Sequence, residues 1–224
     1  MIKPYGNTLV NQIINNFDKF IIDKKNYIDL NKSEFINLNN IALGYYSPLD
    51  RFCNLKDYKN IINLKKINSN VKWTIPILLV LKKKQSLYEK NKFYYLRYNK
   101  KVVGVIKAES FFKIDKKINN IKVFNTISKL HPGVKKINKI KNSFIGGKVH
   151  LLISRALKDK YFYQPFISRK KSIFSNYTVF STRNICHLGH EQIHKKVING
   201  GDKLLISIII SEKNKYEIKH LIKT

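Results

Sequence analysis

The stretch Tyr-Thr-Val-Phe-Ser-Thr-Arg-Asn-Ile-Cys-His-Leu-Gly-His-Glu, residues 177–191, decides how this chain folds. Its β-branched and aromatic start predicts a short buried strand over Asn176–Phe180. Leu188–Val197 has helical character, which a Gly-Gly pair at residues 200 and 201 ends. The apolar run Lys203–Ile210 predicts a second strand, so the whole segment is typical of a βαβ unit in a parallel sheet.

Between the first strand and the helix, the loop Ser181–Cys186 carries side chains suited to an anion. Ligands of open α/β sheets bind at the carboxyl ends of strands, where a helix N-terminus offers N–H groups to phosphate. His187 and His190 are three residues apart and share one helix face, where imidazoles can neutralise charge on a phosphate under attack. The planar fork of Arg183 suits a tetrahedral oxyanion. The neutral donors beside it are Thr182 and Asn184.

The same residues fit a second chemistry. His190-Glu191-Gln192-Ile193-His194 has the H-E-x-x-H pattern of zinc peptidases. Together with His187, the two histidines would lie near one face of the helix, and a distant third ligand would complete a zinc site. A zinc peptidase is therefore an alternative to an anion site.

The composition favours a folded, basic protein. The chain has 224 residues, 43% of them hydrophobic, with 44 Lys and Arg against 14 Asp and Glu and a net charge of +30. Only five of the basic residues are arginine, and the excess of Lys, Ile and Asn follows from AT-rich codons. This pattern argues against nucleic acid as the partner, because specific readers use clustered arginines. A basic, PUA-like module that binds RNA or another anion remains an alternative.

Two cysteines, Cys53 and Cys186, predict no disulfide framework and favour a reducing, cytoplasmic location. The start of the chain shows no signal peptide. The longest apolar runs have strand length, which predicts no membrane span.

The first part of the chain predicts an α+β domain with a small antiparallel sheet or barrel. Asn11–Lys24 has apolar residues at helical spacing, and Asp29–Ser33 predicts a helix start or a turn. Lys72–Leu81 predicts a strand with an edge or bend at Pro76. The remaining prediction is a hairpin of Lys92–Tyr98 and Lys101–Ile106 around Asn99-Lys100.

Taken together, these motifs resemble a known family. The His-x-Gly-His pattern is similar to the signature of the nucleotidyltransferase superfamily. Thr182-Arg183-Asn184-x-x-His187-x-x-His190-Glu191 resembles the active-site motif of the ATP sulfurylase (sulfate adenylyltransferase) family. Further similar segments follow in the family's order: Pro4–Val10, Gly44–Phe52 with Asp57-Tyr58, Trp73–Ile77, His131–Val134, Ile145–Val149 and Gly201–Ile206.

The resemblance implies a mixed α/β fold in two parts. Residues 1–158 would form a PUA-like β-barrel domain, and residues 159–224 would begin a Rossmann-like catalytic domain. The implied reaction converts ATP and sulfate to adenosine 5′-phosphosulfate and pyrophosphate, with Mg²⁺ accompanying ATP. Arg183 and Ser181 would hold sulfate, Thr182 and Asn184 would organise the attack and the phosphates, and His187 and His190 would contact ATP.

The chain also departs from the family pattern. Ser181 replaces a glutamine that helps to bind sulfate, and Ile185 replaces a proline. Arg51 stands in place of a glycine, and Ser207 in place of a histidine. The family's second active-site loop, rich in Gly, Arg and Asp, lies farther downstream than this chain extends. The chain is therefore expected to be a truncated copy or fragment of a longer protein, a split subunit with a separately encoded C-terminal half, or a decayed paralogue. A homo-oligomer is a further expected partner.

Overall fold

The computed structural model of the chain describes residues 4–22, 26–67, 70–156 and 177–208. The chain divides into two units, Lys3–Ile167 and Ser168–Thr224, and the second unit also takes in Met1 and Ile2. The predicted boundary between residues 158 and 159 lies outside the described residues. In the described part of the chain, no helix is long and apolar enough to cross a membrane.

A mixed sheet organises the first unit around one strand, β8, which pairs with five others: β1, β3, β4, β6 and β7. Strand β5 joins β6, and β2 joins β5, so the sheet has eight strands among the described residues. The pairs β1–β8 and β2–β5 are parallel, and the others are antiparallel. The strands are β1 (Ile13–Ile14), β2 (Tyr27–Asp29), β3 (Arg51–Phe52), β4 (Leu79–Val80), β5 (Phe93–Tyr98), β6 (Lys101–Lys107), β7 (Ser110–Phe112) and β8 (Phe144–Leu152).

The predicted hairpin is confirmed. Strands β5 and β6 pair from Phe93 opposite Lys107 to Tyr98 opposite Lys101. The two turn residues, Asn99 and Lys100, have φ angles of 48° and 61°. Positive φ at both central positions is the type I′ geometry whose twist matches that of the flanking strands.

Four helices accompany this sheet in the described residues, and polar caps fix where they start. They are α1 (Lys32–Ala42), α2 (Leu55–Leu64), α3 (Lys116–Phe124) and α4 (Pro132–Lys139). Asn31 and Glu34 form a capping box on α1, and Asn54 and Asp57 form one on α2. The prediction of a helix start within Asp29–Ser33 is thus confirmed at Lys32. Helix α1 packs against β8, and its Leu38 and Ile41 are fully buried in the main core.

The predicted helix over Asn11–Lys24 is wrong. Ile13 and Ile14 instead form β1, and the described residues that follow are bends and turns. The asparagines explain the difference: the side chain of Asn11 accepts from the Ile13 N–H at 3.4 Å, and that of Asn16 accepts from the Asp18 N–H at 3.4 Å. Such local bonds offer the backbone an alternative to a helix.

The predicted strand over Lys72–Leu81 is shorter than expected, because only Leu79 and Val80 join the sheet as a strand. Pro76 has no N–H to donate to a ladder. The Trp73 indole N–H donates to the carbonyl of Ile75 at 2.8 Å, which turns the chain before the proline. The bend anticipated at Pro76 therefore replaces most of the strand.

Arg51, a departure from the family pattern, joins an ionic cluster beside β3. Its guanidinium donates to both carboxylate oxygens of Glu109, at 2.8 and 2.6 Å, and to Asp50 at 2.7 Å. The Asn54 amide also donates to Glu109, at 2.8 Å. This ion pair, in which Nη1 of Arg51 reaches both oxygens of Glu109, lies at a half-buried position and ties β3 to the turn between β6 and β7.

Arg51→Ala is expected to lower the free energy of unfolding by about 2 kcal/mol, because Glu109 loses its main counterion at a half-buried site. Chemical denaturation measures this change. Lys148→Ala is the matched control: Lys148 is 44% exposed and lies 3.6 Å from Asp50. Its loss is expected to cost less than about 0.5 kcal/mol. Equal effects of the two substitutions would contradict the role assigned to Arg51.

The second unit is the predicted βαβ unit within the described residues. Strand β9 (Tyr177–Thr182) and strand β10 (Lys203–Ile208) are parallel neighbours, joined by helix α5 (Leu188–Asn199). Two details differ from the prediction. Val179 is 56% exposed rather than buried, and β9 extends through Ser181 and Thr182, which pair with Ser207 and Ile208. Residues 209 and 210 lie outside the described part.

Candidate anion site at the start of helix α5

The candidate site is built where β9 ends and α5 begins. Thr182 is the last residue of β9 and is buried, with 7% of its surface exposed. Its Oγ1 accepts from the Asn184 N–H at 3.0 Å. This local turn holds the backbone of Arg183 and Asn184 directly after the strand.

Ser181, Arg183 and Asn184 all expose their side chains. Most of the described carboxylates are held in helix caps or ion pairs elsewhere. None of the described carboxylates forms an ion pair with the Arg183 guanidinium. A guanidinium that follows a parallel strand and has no carboxylate partner among the described residues is available to an external anion.

His187 is the N-cap of α5, and its Nδ1 accepts from the Gly189 N–H at 3.2 Å. In a neutral ring this bond places the proton on Nε2, which is then a donor. The ring of His187 lies 4.0 Å from that of His190, with an interplanar angle of 31°. The structure thus brings the two histidines together on the first turn, as their spacing predicts.

Phe180 and His194 also belong to this cluster. The Phe180 ring lies edge-on to His190 at 5.1 Å and to His194 at 4.7 Å. Nδ1 of His190 and Nε2 of His194 are buried without a partner among the described residues. The four-residue spacing of the two histidines, about one helix turn, predicts that they share a helix face, but it does not predict their contact with Phe180.

The zinc-peptidase alternative finds no support in this geometry. The described residues contain no group of three His, Cys, Asp or Glu side chains that could hold a metal ion. Glu191, which would be the general base, pairs with Lys195 at 2.7 Å. This bond lowers the pKa of Glu191. The two histidines of the H-E-x-x-H pattern, His190 and His194, instead both contact the ring of Phe180.

The residues around the site also do not form a cage for Mg²⁺, which prefers carboxylate and phosphate oxygens. The carboxylate nearest in sequence to the site, that of Glu191, is engaged by Lys195 at 2.7 Å. The donors at the site are imidazole, guanidinium and amide groups. This set fits a phosphate chain that carries its own Mg²⁺ better than a resident ion.

The charges of the histidine cluster lead to a prediction about the pKa of His190. The pKa of His190 is lowered, first because the ring loses hydration and then because His187 and His194 lie beside it. His187→Gln is therefore expected to raise the pKa of His190, since a like charge is removed. A ¹³C-resolved NMR titration of the His190 ring measures the shift. Lys196→Gln, a charge removed elsewhere on α5, is the control, and an unchanged His190 pKa in His187→Gln would contradict the prediction.

The fold and the position of these side chains together define a class: a mixed α/β protein with a candidate anion site between a parallel strand and a helix N-terminus. Residues 2–154 match the PUA-like domain, and the chain belongs to that family. The fold prediction of a PUA-like domain followed by a parallel α/β unit is confirmed.

Curated relatives extend the likeness through the second unit. The chain is 28% identical to a sulfate adenylyltransferase of Pyrococcus abyssi over 97% of its own length. It is 31% identical to that of Hyperthermus butylicus over 78% of its length. It spans 59% of the first relative and 46% of the second. The resemblance to the N-terminal portion of the ATP sulfurylase family is thus confirmed.

Among solved structures, a hexameric APS kinase from Thiobacillus denitrificans is similar in fold, with a TM-score of 0.63. The match covers 92% of this chain and 39% of that one at 16% identity. At this identity the match supports the architecture alone.

Proposed function

We propose that this chain binds ATP and sulfate and takes part in adenylyl transfer, forming adenosine 5′-phosphosulfate and pyrophosphate. The observation that carries the proposal is the pair His187 and His190, whose rings meet on the first turn of α5. Arg183, which forms no ion pair among the described residues, lies four residues before His187. The relatives named sulfate adenylyltransferase support the same reaction class.

In this reaction a sulfate oxygen attacks the α-phosphorus of ATP. The new P–O bond forms as the bond from the α-phosphorus to the bridging oxygen breaks, and the electron pair leaves with pyrophosphate. Arg183 would orient sulfate through two parallel N–H donors, with the Ser181 hydroxyl beside it. The ordered turn of Thr182 and Asn184 would align the attack, since positioning supplies much of the rate in such displacements.

His187 and His190 would act on the phosphate chain. Nε2 of His187 is a donor and can bond to a phosphate oxygen, and the N-terminus of α5 adds its dipole. Both groups would stabilise the charge that develops on the leaving pyrophosphate. Mg²⁺ bound to ATP would neutralise part of the triphosphate charge when the nucleotide enters.

We propose a homo-oligomer, or a separately encoded C-terminal half, as the protein partner of this chain. We also place the protein in the cytoplasm, where the free thiols of Cys53 and Cys186 stay reduced.

The test is pyrophosphate release with MgATP by the full chain, alone and mixed with any separately encoded C-terminal half, in the presence and absence of sulfate, together with calorimetric titration of MgATP. We expect MgATP to bind and sulfate to accelerate pyrophosphate release. If MgATP does not bind and no pyrophosphate is released, the proposal is wrong. Retention of RNA that weakens steeply with salt, in the absence of nucleotide binding, would instead support the basic binding module.

A further inference from the structure

Helix α3 exposes two isoleucines and buries two asparagines. Ile118 and Ile121 are 49% and 46% exposed, whereas the asparagines between them, Asn119 and Asn120, are 1% and 2% exposed. An amphipathic helix of a globular protein ordinarily buries its apolar residues and exposes its polar ones. Val123 follows this rule and packs against the core, but the two isoleucines and the two asparagines do not.

Hydrogen bonds hold the helix in this orientation. The Tyr58 hydroxyl donates to Oδ1 of Asn119 at 3.3 Å, and Nδ2 of Asn120 donates to Oδ1 of Asn138 at 3.1 Å. Rotation of α3 to bury its isoleucines would break both bonds and leave the partners of these asparagines unsatisfied. The exposure of Ile118 and Ile121 is therefore built into the fold.

Neighbouring elements extend the exposed apolar surface. Leu64, at the end of α2, is 63% exposed, and the next residue, Lys65, donates through Nζ to the carbonyl of Lys122 in α3. We call Leu64, Ile118 and Ile121 the α3 face. The connection that follows α3 adds Ile127 and Leu130, which are 52% and 93% exposed. Exposed apolar side chains grouped in this way mark an interaction site.

Positive charge surrounds the α3 face. Lys117 and Lys122 flank the two isoleucines along the exposed side of the helix, and Lys65 closes the α2 end. The carboxylate of Asp115 accepts from the Ile118 N–H at 2.9 Å and caps the helix, so it balances the helix N-terminus. A second copy of the chain would bring the same lysines against these, which opposes self-association through this face.

We infer that the α3 face docks an acidic amphipathic helix of a partner protein, with apolar side chains on the isoleucines and carboxylates on the lysines. Two segments of the chain outside the described residues, 157–176 and 209–224, both carry more Lys and Arg than Asp and Glu, so neither has the acidic character that this face would attract. The inference is independent of the adenylyl-transfer proposal, because it uses none of the residues placed at the anion site.

The test uses a fluorescent peptide of about 18 residues with leucines at helical spacing and glutamates elsewhere. Fluorescence anisotropy with the full chain measures binding. Two further peptides are compared, one with lysine for every glutamate and one with glutamine for every leucine. We expect the acidic leucine peptide to bind at least about tenfold more tightly than either. Equal binding of the glutamine peptide would reduce the interaction to general charge and overturn the inference.

Variants then locate the site. The double substitution Ile118→Gln/Ile121→Gln is expected to weaken binding of the acidic peptide about tenfold, while the control Leu87→Gln, at an exposed leucine on the short turn Gln85–Leu87, changes nothing. Equal effects of the two would overturn the inference.

A charge reversal gives a second measure that keeps the apolar surface intact. Lys117→Glu/Lys122→Glu is expected to weaken binding of the acidic peptide and to strengthen that of the lysine peptide, and the absence of this reversal would count against the inference.

Sedimentation of the wild-type chain and of Ile118→Gln/Ile121→Gln tests whether a second copy of the chain covers the α3 face instead. A dimer that the substitution dissociates would show that a second copy covers the face, and the inference would then be wrong.

Discussion

Replacement of Arg183 by lysine is expected to reduce sulfate-dependent pyrophosphate release by about two orders of magnitude. Arg183 comes directly after β9, where the hydrogen bond from the Asn184 N–H to Thr182 Oγ1 holds the backbone in place. The Arg183 side chain therefore starts from a fixed backbone position. A guanidinium offers two parallel donors to a tetrahedral oxyanion, whereas an ammonium offers a point charge on a flexible stem. Lysine keeps the positive charge and loses the orientation of sulfate.

The loss should fall on sulfate and not on the nucleotide. We expect the KM for sulfate to rise and the affinity for MgATP, measured by titration, to change by less than about twofold. Arg155→Lys is the matched control, because Arg155 is an exposed arginine on the short turn Ile153–Arg155. An unchanged KM for sulfate in Arg183→Lys would show that the anion binds elsewhere.

The sequence was informative at the β5–β6 hairpin, in the βαβ unit and at the first turn of α5. Asn99-Lys100 predicts the hairpin because a type I′ turn needs residues that tolerate positive φ, and both adopt it. The βαβ unit follows from the two apolar runs with a helix between them. At the site, the three-residue spacing of His187 and His190 correctly predicts that their rings meet.

Contacts between distant residues could not be predicted in the same way. The sequence shows no reason for β8 to pair with five strands, because each pairing depends on residues far away in the chain. The apolar spacing in Asn11–Lys24 predicted a helix, but local asparagine bonds and the parallel pairing of Ile13 with Leu151 determine the structure. Phe180 was considered only as a strand residue, and its contact with two histidines depends on how α5 packs on β9.

Gly147→Ala is expected to lower the free energy of unfolding of the first unit by about 4 kcal/mol. Gly147 lies in β8, opposite Phe52 of β3. A Cβ atom there would lie 1.8 Å from the carbonyl oxygen of Lys107, the last residue of β6. That oxygen belongs to the backbone and cannot rotate away, so the added methyl group would force β6 and β8 apart. A loss of this size is a large fraction of the stability of an ordinary domain.

Gly133→Ala is the matched control in the same unit. Its Cβ would meet the Phe124 ring at 2.6 Å, but a side chain can move, and alanine favours the helix α4 that contains it. We expect a change within about 1 kcal/mol. Denaturation followed by the fluorescence of Trp73, the one tryptophan of the chain, compares the two variants. If Gly147→Ala costs no more than Gly133→Ala, then β6 does not approach β8 as closely as the fold requires, and β8 is not the strand on which the first unit is built.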